Sequence, residues 1–387
     1  MKHFSNDLIQ WYKKHARDLP WRKTFDPYKI WISEIMLQQT TVNAVIPYYE
    51  RWISEFPNIK SVAMAPLEKI LKVWQGLGYY QRAKNIYKSA QIIVRDHGGK
   101  IPQTRGELRN LPGFGPYTTG AVLSIAFDRR EPIIDANVRR VVMRQLAIEG
   151  HADTSQDSRI LGFLDKVMPP KGNNIFNQAL MELGALVCRS REPICLFCPV
   201  KSNCLAYQKG VQEIIPTPKK KIIKDVDVAI ALIERDGKYF IQKRPAKGLL
   251  ADLWEFPGGK VEKGESSEEA LYREVKEELG VQVRAAKFVM NLVHFYTEFR
   301  VKLHVWLCEP VSWPKEDKTH NWVTLKDISN YPMPSGSAKI VDWLIEDSKE
   351  DVMLGQIAQQ RERDSKPSDY FDLEGLLKKQ NVGHRLS

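Results

Sequence analysis

"GGKVEKGESSEEALYREVKEELGV", residues 258–281, decides how the rear of this chain is read. Within it, 266–279 predicts an amphipathic helix, with Ala270, Leu271, Val275 and Leu279 along one side. Glu274, Glu277 and Glu278 stand at i, i+3 and i+4, so they share the opposite face, where carboxylates can jointly hold Mg²⁺. Many helices carry a solvated acidic face with no further role. Such a face does not account for Arg273, or for the glycines at 259 and 280 that bracket the helix.

Working outward, "VAIALIERDGKYFIQKR" places two apolar stretches around Asp236-Gly237, a strong hairpin signal. "FVMNLVHFYTEFRVKLHVWLCEP" alternates as further strands do, so residues 225–345 predict an α+β domain. Residues 346–387, from "EDSKEDVML" onward, are polar without a core pattern and read as a tail of disordered composition. Ahead of the domain, "VQEIIPTPKKKIIKD" carries two prolines and a lysine run, so 211–224 reads as a linker. Residues 1–210 read as helices almost throughout: "NIYKSAQIIVRDHG", "TGAVLSIAF", "VRRVVMRQL" and "FNQALMELGALVC" all have helical apolar spacing.

A chain of 387 residues with 43% hydrophobic content suits two soluble domains rather than one core. No apolar run is long enough to span a membrane, and the first residues lack a signal-peptide core, so a cytoplasmic protein with no membrane partner is expected. Charge is shared unevenly. Residues 1–220 hold 32 Lys and Arg against 19 Asp and Glu, and the remainder hold 26 against 28. A basic front half beside a neutral rear half points to a polyanion partner for the front half alone, though a basic soluble surface has the same composition.

The front half also carries candidate chemistry. In "LRNLPGFGPYTTGAVLSIAF" (108–127), Gly113 and Gly115 let backbone N–H groups approach a phosphate at the start of a helix, although a tight helix–helix turn needs glycines too. Asp135, in "PIIDANVRRVVMR", precedes a helix and reads first as an N-cap. Four of the five cysteines form C-x6-C-x2-C-x5-C: Cys188, Cys195, Cys198 and Cys204. Four thiolates at this density suit an iron–sulfur cluster or structural zinc, and the spacing alone does not choose.

Taken together, the Gly-rich hairpin between helices, Asp135 and the cysteine spacing resemble the endonuclease III superfamily of DNA glycosylases. Within it, "LPWR" (19–22), "WISEIMLQQTTV" (31–42), "VWQGLGYYQRAKN" (73–85), "GPYTTGAV" (115–122) and "FNQALMELGALVC" (176–188) resemble the MutY adenine DNA glycosylases. The resemblance implies an all-α helix-hairpin-helix domain with a [4Fe–4S] cluster on the four cysteines. It implies a monomeric base excision repair enzyme whose partner is double-stranded DNA with adenine opposite 8-oxoguanine or guanine. By it, Glu34 protonates adenine N7 and handles the water, Asp135 stabilises the oxocarbenium ion, and Asn137 supports Asp135 and the water. Two carboxylates in different environments are what glycosidic cleavage asks for, and the apolar neighbours of Glu34 should raise its pKa. Tyr117 stands where bifunctional relatives carry the Schiff-base lysine, so the resemblance implies a monofunctional enzyme. Trp21, Arg22 and Gln178 match the adenine pocket, while Gln39 and Tyr79 match the residues that wedge into the duplex as the base flips out. A thymine or uracil mismatch glycosylase is the rival within the superfamily.

The rear half resembles the MutT-like domain of the same family, with its Nudix motif G-x5-E-x7-R-E-U-x-E-E-x-G-U complete from Gly259 to Val281, where the family usually lets it decay. Two roles follow for this domain: reading the base opposite adenine, or Mg²⁺-dependent nucleotide hydrolysis on Glu274, Glu277 and Glu278. The lesion-reading positions, usually Phe or Tyr, then Ser, then His, here align with Tyr296, Thr297 and Glu298. Tyr296 and Thr297 can still stack and hydrogen-bond. Glu298 puts a negative charge near DNA, so 8-oxoguanine discrimination is expected to differ.

Overall fold

The structure is a computed structural model that describes residues 3–219, 223–296 and 298–364. Thr297 and residues 365–387 lie outside the described residues.

The front half is helical: α1 (Phe4–His15), α2 (Pro27–Met36), α3 (Val42–Glu55), α4 (Ile59–Met64), α5 (Leu67–Trp74), α6 (Gln81–Asp96), α7 (Arg105–Arg109), α8 (Pro116–Phe127), α9 (Ala136–Gln145), α10 (Asp157–Val167), α11 (Asn173–Leu186) and α12 (Leu205–Gln208). They enclose two cores. One is built on α2–α6 around Trp31, Trp52 and Trp74, the other on α1 and α9–α11 around Phe4, Phe163 and Phe176. A small seam joins them, where Ile30 of α2 meets Ala121 and Ile125 of α8, with Tyr117 and Met181 of α11 at its edge. Gly120 lets α8 approach closely, since a Cβ there would lie 3.0 Å from the Pro132 carbonyl oxygen.

The second domain holds β1 (Lys224–Arg235), β2 (Lys238–Lys243), β3 (Trp254–Glu255), β4 (Gly258–Lys260), α13 (Ser267–Leu279), β5 (Val283–Tyr296), β6 (Phe299–Pro310), β7 (His320–Thr324), α14 (Leu325–Ile328) and α15 (Ser335–Asp364). Asp236 and Gly237 both take positive φ, forming the two-residue turn that pairs Arg235 with Lys238. The central strand β1 pairs in parallel with β6, and β5 runs antiparallel to β6, so the sheet is mixed with order β3-β2-β1-β6-β5. Alternation along β1 sends Ala229, Ala231 and Ile233 to α13, and Ile230 and Leu232 to Ile340, Val341 and Leu344 of α15. A two-sided sheet between helices explains the unbroken apolar run from Val228 to Ile233 in β1.

The helix expected over 266–279 is capped at both ends. Ser266 and Glu269 hydrogen-bond reciprocally at its start, and Gly280 turns left-handed at its end. The segment expected as a tail needs one correction, because α15 carries its helix on to Asp364. Polar residues can have good helix propensity, and the segment extends a helix already anchored at Ile340 and Leu344.

The two halves are joined by specific contacts. Leu253 packs into the front core, and Lys84 of α6 pairs with Asp252 at 2.6 Å. Glu68 accepts from Lys243 Nζ (2.7 Å) and Trp254 Nε1 (3.3 Å). Tyr80 donates its hydroxyl to the Met333 carbonyl (3.0 Å), and Gln75 Oε1 accepts from the Met333 amide (3.0 Å).

Candidate active site and thiol cavity

Where α2, α8 and α9 converge on the seam, three sequence-predicted residues meet. Glu34 is 5% exposed, and its Oε2 accepts from the Tyr117 hydroxyl at 2.6 Å. Burial pushes the Glu34 carboxyl up to about 7; the Tyr117 hydrogen bond opposes the shift and the nearby Asp135 charge adds to it. Tyr117 itself is raised well above its ordinary range by burial and by both carboxylates, so it stays a neutral donor.

Asp135 fulfils both readings of its position. Its Oδ1 caps α9 by accepting from the Val138 amide at 2.6 Å, and its Oδ2 accepts from Asn137 Nδ2 at 3.0 Å. Burial raises its pKa, and the cap and Asn137 bonds restrain the rise. Asn137 is held in turn by Arg140, whose Nη2 donates to its Oδ1 (2.8 Å) and whose Nε donates to the Cys188 carbonyl (2.8 Å). Gly184 makes this possible: a Cβ there would sit 2.6 Å from the Asn137 Cβ, so α11 can pack on α9 only without one.

The predicted pocket residues surround a buried ion pair that the sequence does not advertise. Glu182, 1% exposed, accepts from Arg22 Nη1 and Nη2 (2.9 and 2.8 Å) and from Arg17 Nε and Nη2 (2.9 and 2.6 Å). The two guanidinium groups outweigh burial and hold the Glu182 carboxyl at about 2. Arg22 also lies 5.3 Å from the Tyr12 ring centroid, and Tyr12 donates to Gln178 Oε1 at 3.3 Å. Gln178 therefore faces the same cluster, while Trp21 is buried edge-on to Tyr49 at 5.4 Å.

Gln39 and Tyr79 are both exposed and both left-handed, at φ +57° and +49°. Gly113, at φ +82°, makes the turn between α7 and α8, with no room for a Cβ against Asn85 at 2.9 Å. Gly115 is the N-cap of α8, and Phe114 between them stacks on Trp31 at 5.2 Å.

The four cysteines are free thiols lining one cavity with Arg144, Gln145, Lys201 and Gln212. Arg144 is fully buried and donates Nη1 toward Cys188 Sγ at 3.2 Å. Gln145 and Gln212 each leave Oε1 buried without a partner among the described residues, and either amide can turn its N–H groups toward a sulfur-rich guest. All four thiols thus open onto the same small volume.

In the second domain the acidic face of α13 is tied down. Arg273 donates to Glu265 (2.6 Å), Glu274 (2.9 Å) and Glu277 (3.3 Å), while Glu278 accepts from Gln242 Nε2 (2.6 Å) and the Gly258 amide (3.0 Å). Gly259 lies directly over the Glu274 carboxylate, where a Cβ would come within 2.2 Å. Next to Glu278, Glu255 is pushed up to about 7 by burial and paired with Arg244 at 2.6 Å. Tyr296 ends β5, edge-on to His294 at 4.5 Å, and its hydroxyl feels both Glu255 and Arg244. Glu298 is exposed, and its carbonyl accepts from the Lys224 amide at 2.7 Å.

The chain matches known families over both halves. Residues 32–163 match the HhH-GPD superfamily of base excision DNA repair proteins, and residues 228–343 match the NUDIX domain. It is 34% identical to the adenine DNA glycosylase of Buchnera aphidicola subsp. Acyrthosiphon pisum, over 88% of this chain and 97% of that one. To the adenine DNA glycosylase of Mus musculus it is 30% identical, over 87% and 77%, and to that of Homo sapiens 32%, over 78% and 66%. With a helical HhH-GPD half, a Nudix half and relatives that align along most of both, the chain belongs to the adenine DNA glycosylases of base excision repair.

Proposed function

We propose that this DNA N-glycosylase removes adenine paired with 8-oxoguanine or guanine in double-stranded DNA, acting as a monofunctional monomer. The observation that carries the reading is a buried carboxyl, Glu34, and a part-buried one, Asp135, both in electrostatic contact with Tyr117. Glu34, at about 7, holds a proton near neutral pH and passes it to N7 of the flipped adenine. The C1′–N9 bond then breaks, its electrons leave with the adenine, and Asp135 stabilises the cationic sugar. A water adds at C1′ and gives its proton to Glu34. Asn137 keeps Asp135 oriented, and Tyr117, a hydroxyl without an amine, supports no Schiff base. Arg22 and Gln178 line the adenine pocket with Trp21 behind them, Gln39 and Tyr79 occupy the vacated stack, and Gly113 and Gly115 present amides to the DNA backbone.

Cys188, Cys195, Cys198 and Cys204, which line one cavity, would hold a [4Fe–4S] cluster. When bound, the cluster supplies a covalent brace for the loop 188–204, next to the Arg140 link that ends at Asn137. Iron content and visible absorbance of freshly purified protein test it, and stoichiometric zinc without iron overturns it.

For the second domain we favour reading of the opposite base, with Tyr296 the stacking residue. A second reading rests on the motif carboxylates: Glu274, Glu277 and Glu278 share one face of α13 and offer the oxygen ligands that Mg²⁺ takes, once Arg273 releases Glu274 and Glu277. Glu277→Gln separates the two. Loss of Mg²⁺-dependent 8-oxo-dGTP hydrolysis with adenine excision intact establishes a fused pyrophosphatase, and a wild type that hydrolyses no nucleotide rules it out. The main reading is tested by excision from duplexes with A opposite 8-oxoguanine or guanine, beside G:T and G:U. Strong removal of T or U with none of A overturns it.

A further inference from the structure

Gln39 and Tyr79 lie on separate loops, one after α2 and one before α6, and each holds a left-handed backbone that side chains other than glycine rarely adopt. Something must hold that strain in place. A single guanidinium reaches both loops. Arg82, in the first turn of α6, donates Nη1 to the carbonyls of Ile35 (3.0 Å), Met36 (3.1 Å) and Gln38 (2.5 Å), and Nη2 to those of Leu77 (3.1 Å) and Gly78 (3.1 Å). Its carbon Cζ lies 5.2 Å from the Tyr79 ring centroid and 5.3 Å from that of Trp74. Among the described residues no carboxylate pairs with it, and its Nε has no hydrogen-bond partner. Capping the C-terminal carbonyls of α2 alone would be an ordinary structural use of an arginine. Capping them while holding the turn under Tyr79 is not, because it makes two loops from different helices one rigid unit.

We propose that Arg82 is a positioning residue for base extrusion: its planar fork locks the Gln39 and Tyr79 loops together so that both enter the duplex in register. This rests on the reading of Gln39 and Tyr79 as the wedge. A lysine keeps the charge and the stem but offers one point of donation instead of a fork, so it cannot bridge the loops.

The test is single-turnover excision at saturating enzyme by Arg82→Lys, with A opposite 8-oxoguanine and with 2-aminopurine at the target as a fluorescent report of unstacking. Such rate constants read only correctly folded molecules, so partial misfolding does not imitate the effect. We expect the rate to fall by about 10²-fold with the fluorescence rise lost, while mispair affinity changes less than about threefold. Tyr79→Ser with Arg82→Lys should be no slower than Tyr79→Ser alone, because the two act through one unit. Arg82→Ala should regain rate in millimolar guanidinium but not in ammonium. Wild-type rates in Arg82→Lys, or multiplying effects in the double variant, overturn the inference. A wild type that excises no adenine would instead overturn the function on which it rests.

Discussion

Two groups of carboxylates in this molecule are placed by helix geometry, and their surroundings make them different chemical objects. Glu34 is buried against apolar helices with one hydrogen-bond donor, a tyrosine hydroxyl, and burial, with the nearby Asp135 charge, lifts it to about 7. The α13 carboxylates stand at textually complete motif positions, yet Arg273 spans three glutamates, and Glu278 is held by an amide and a glutamine. A carboxyl with no cation in contact can trade a proton, and one clamped by a guanidinium cannot do so until the guanidinium moves. Motif position therefore says where a carboxylate stands, and its partners say what it can do.

The sharpest way to break this contrast is to neutralise one member of each group. Glu34→Gln keeps the shape and the Tyr117 contact but has no proton to give, so single-turnover adenine excision should fall by about 10³-fold or more. Glu278→Gln should leave the same rate within about threefold. Comparable losses in both variants would erase the distinction. Next in size is the ion pair of Glu182 under the proposed adenine pocket. Glu182→Ala leaves two part-buried guanidinium groups without a carboxylate, and thermal or denaturant unfolding should show a loss of about 3 kcal/mol. The sign is that of a depressed acid: the stabilisation is present above the ordinary carboxyl range and is lost as pH falls toward about 2.

A smaller effect is expected from Gly184→Ala. The added methyl would overlap Asn137, pushing α11 from α9 and disturbing the bond that orients Asp135. Excision should slow by roughly tenfold with DNA affinity nearly unchanged, read as rate constant against dissociation constant. The pH profile comes next. In the proposed mechanism Glu34 acts only when protonated, so excision should fall about tenfold per pH unit above about 7. Its folded pKa is raised above the ordinary 4.5, so the folded state binds the extra proton between these values. Its contribution to stability is thus complete below 4.5 and lost as pH rises through about 7. Glu34→Gln should flatten both slopes.

How much of this was legible in the sequence depends on how local each cause is. Asp236-Gly237, Ser266 and Gly280 act within a few residues, and the hairpin and helix they punctuate stand where the sequence puts them. Glu34 and Asp135 were reachable through short motifs whose residues keep their own elements. Glu182 was not, because its partners Arg17 and Arg22 lie some 160 positions away and only the packing of α11 beside the 17–22 segment joins them. Arg82 was hidden for the same reason, since its acceptors are carbonyls, which every residue has. The parallel pairing of β1 with β6 spans the helix and strands between them, so no alternation pattern in either strand reveals it.

The smallest expected effect probes the other side of the comparison. Arg273 joins Glu265, Glu274 and Glu277 and reaches the Lys260 carbonyl, so it braces the glycine loop against α13. If that network serves the fold of the second domain, Arg273→Ala should lower the unfolding midpoint of the protein slightly and leave adenine excision opposite guanine within about twofold of wild type. Excision opposite 8-oxoguanine is the more sensitive readout. Glu255, beside Glu278, is in electrostatic contact with Tyr296, so loosening the loop can reach the residue proposed to stack on the lesion. A selective loss opposite 8-oxoguanine, with the guanine rate retained, would mean that the intact motif braces a reading surface. Equal rates opposite both bases would leave nucleotide hydrolysis as the only chemistry for which its carboxylates need to be complete.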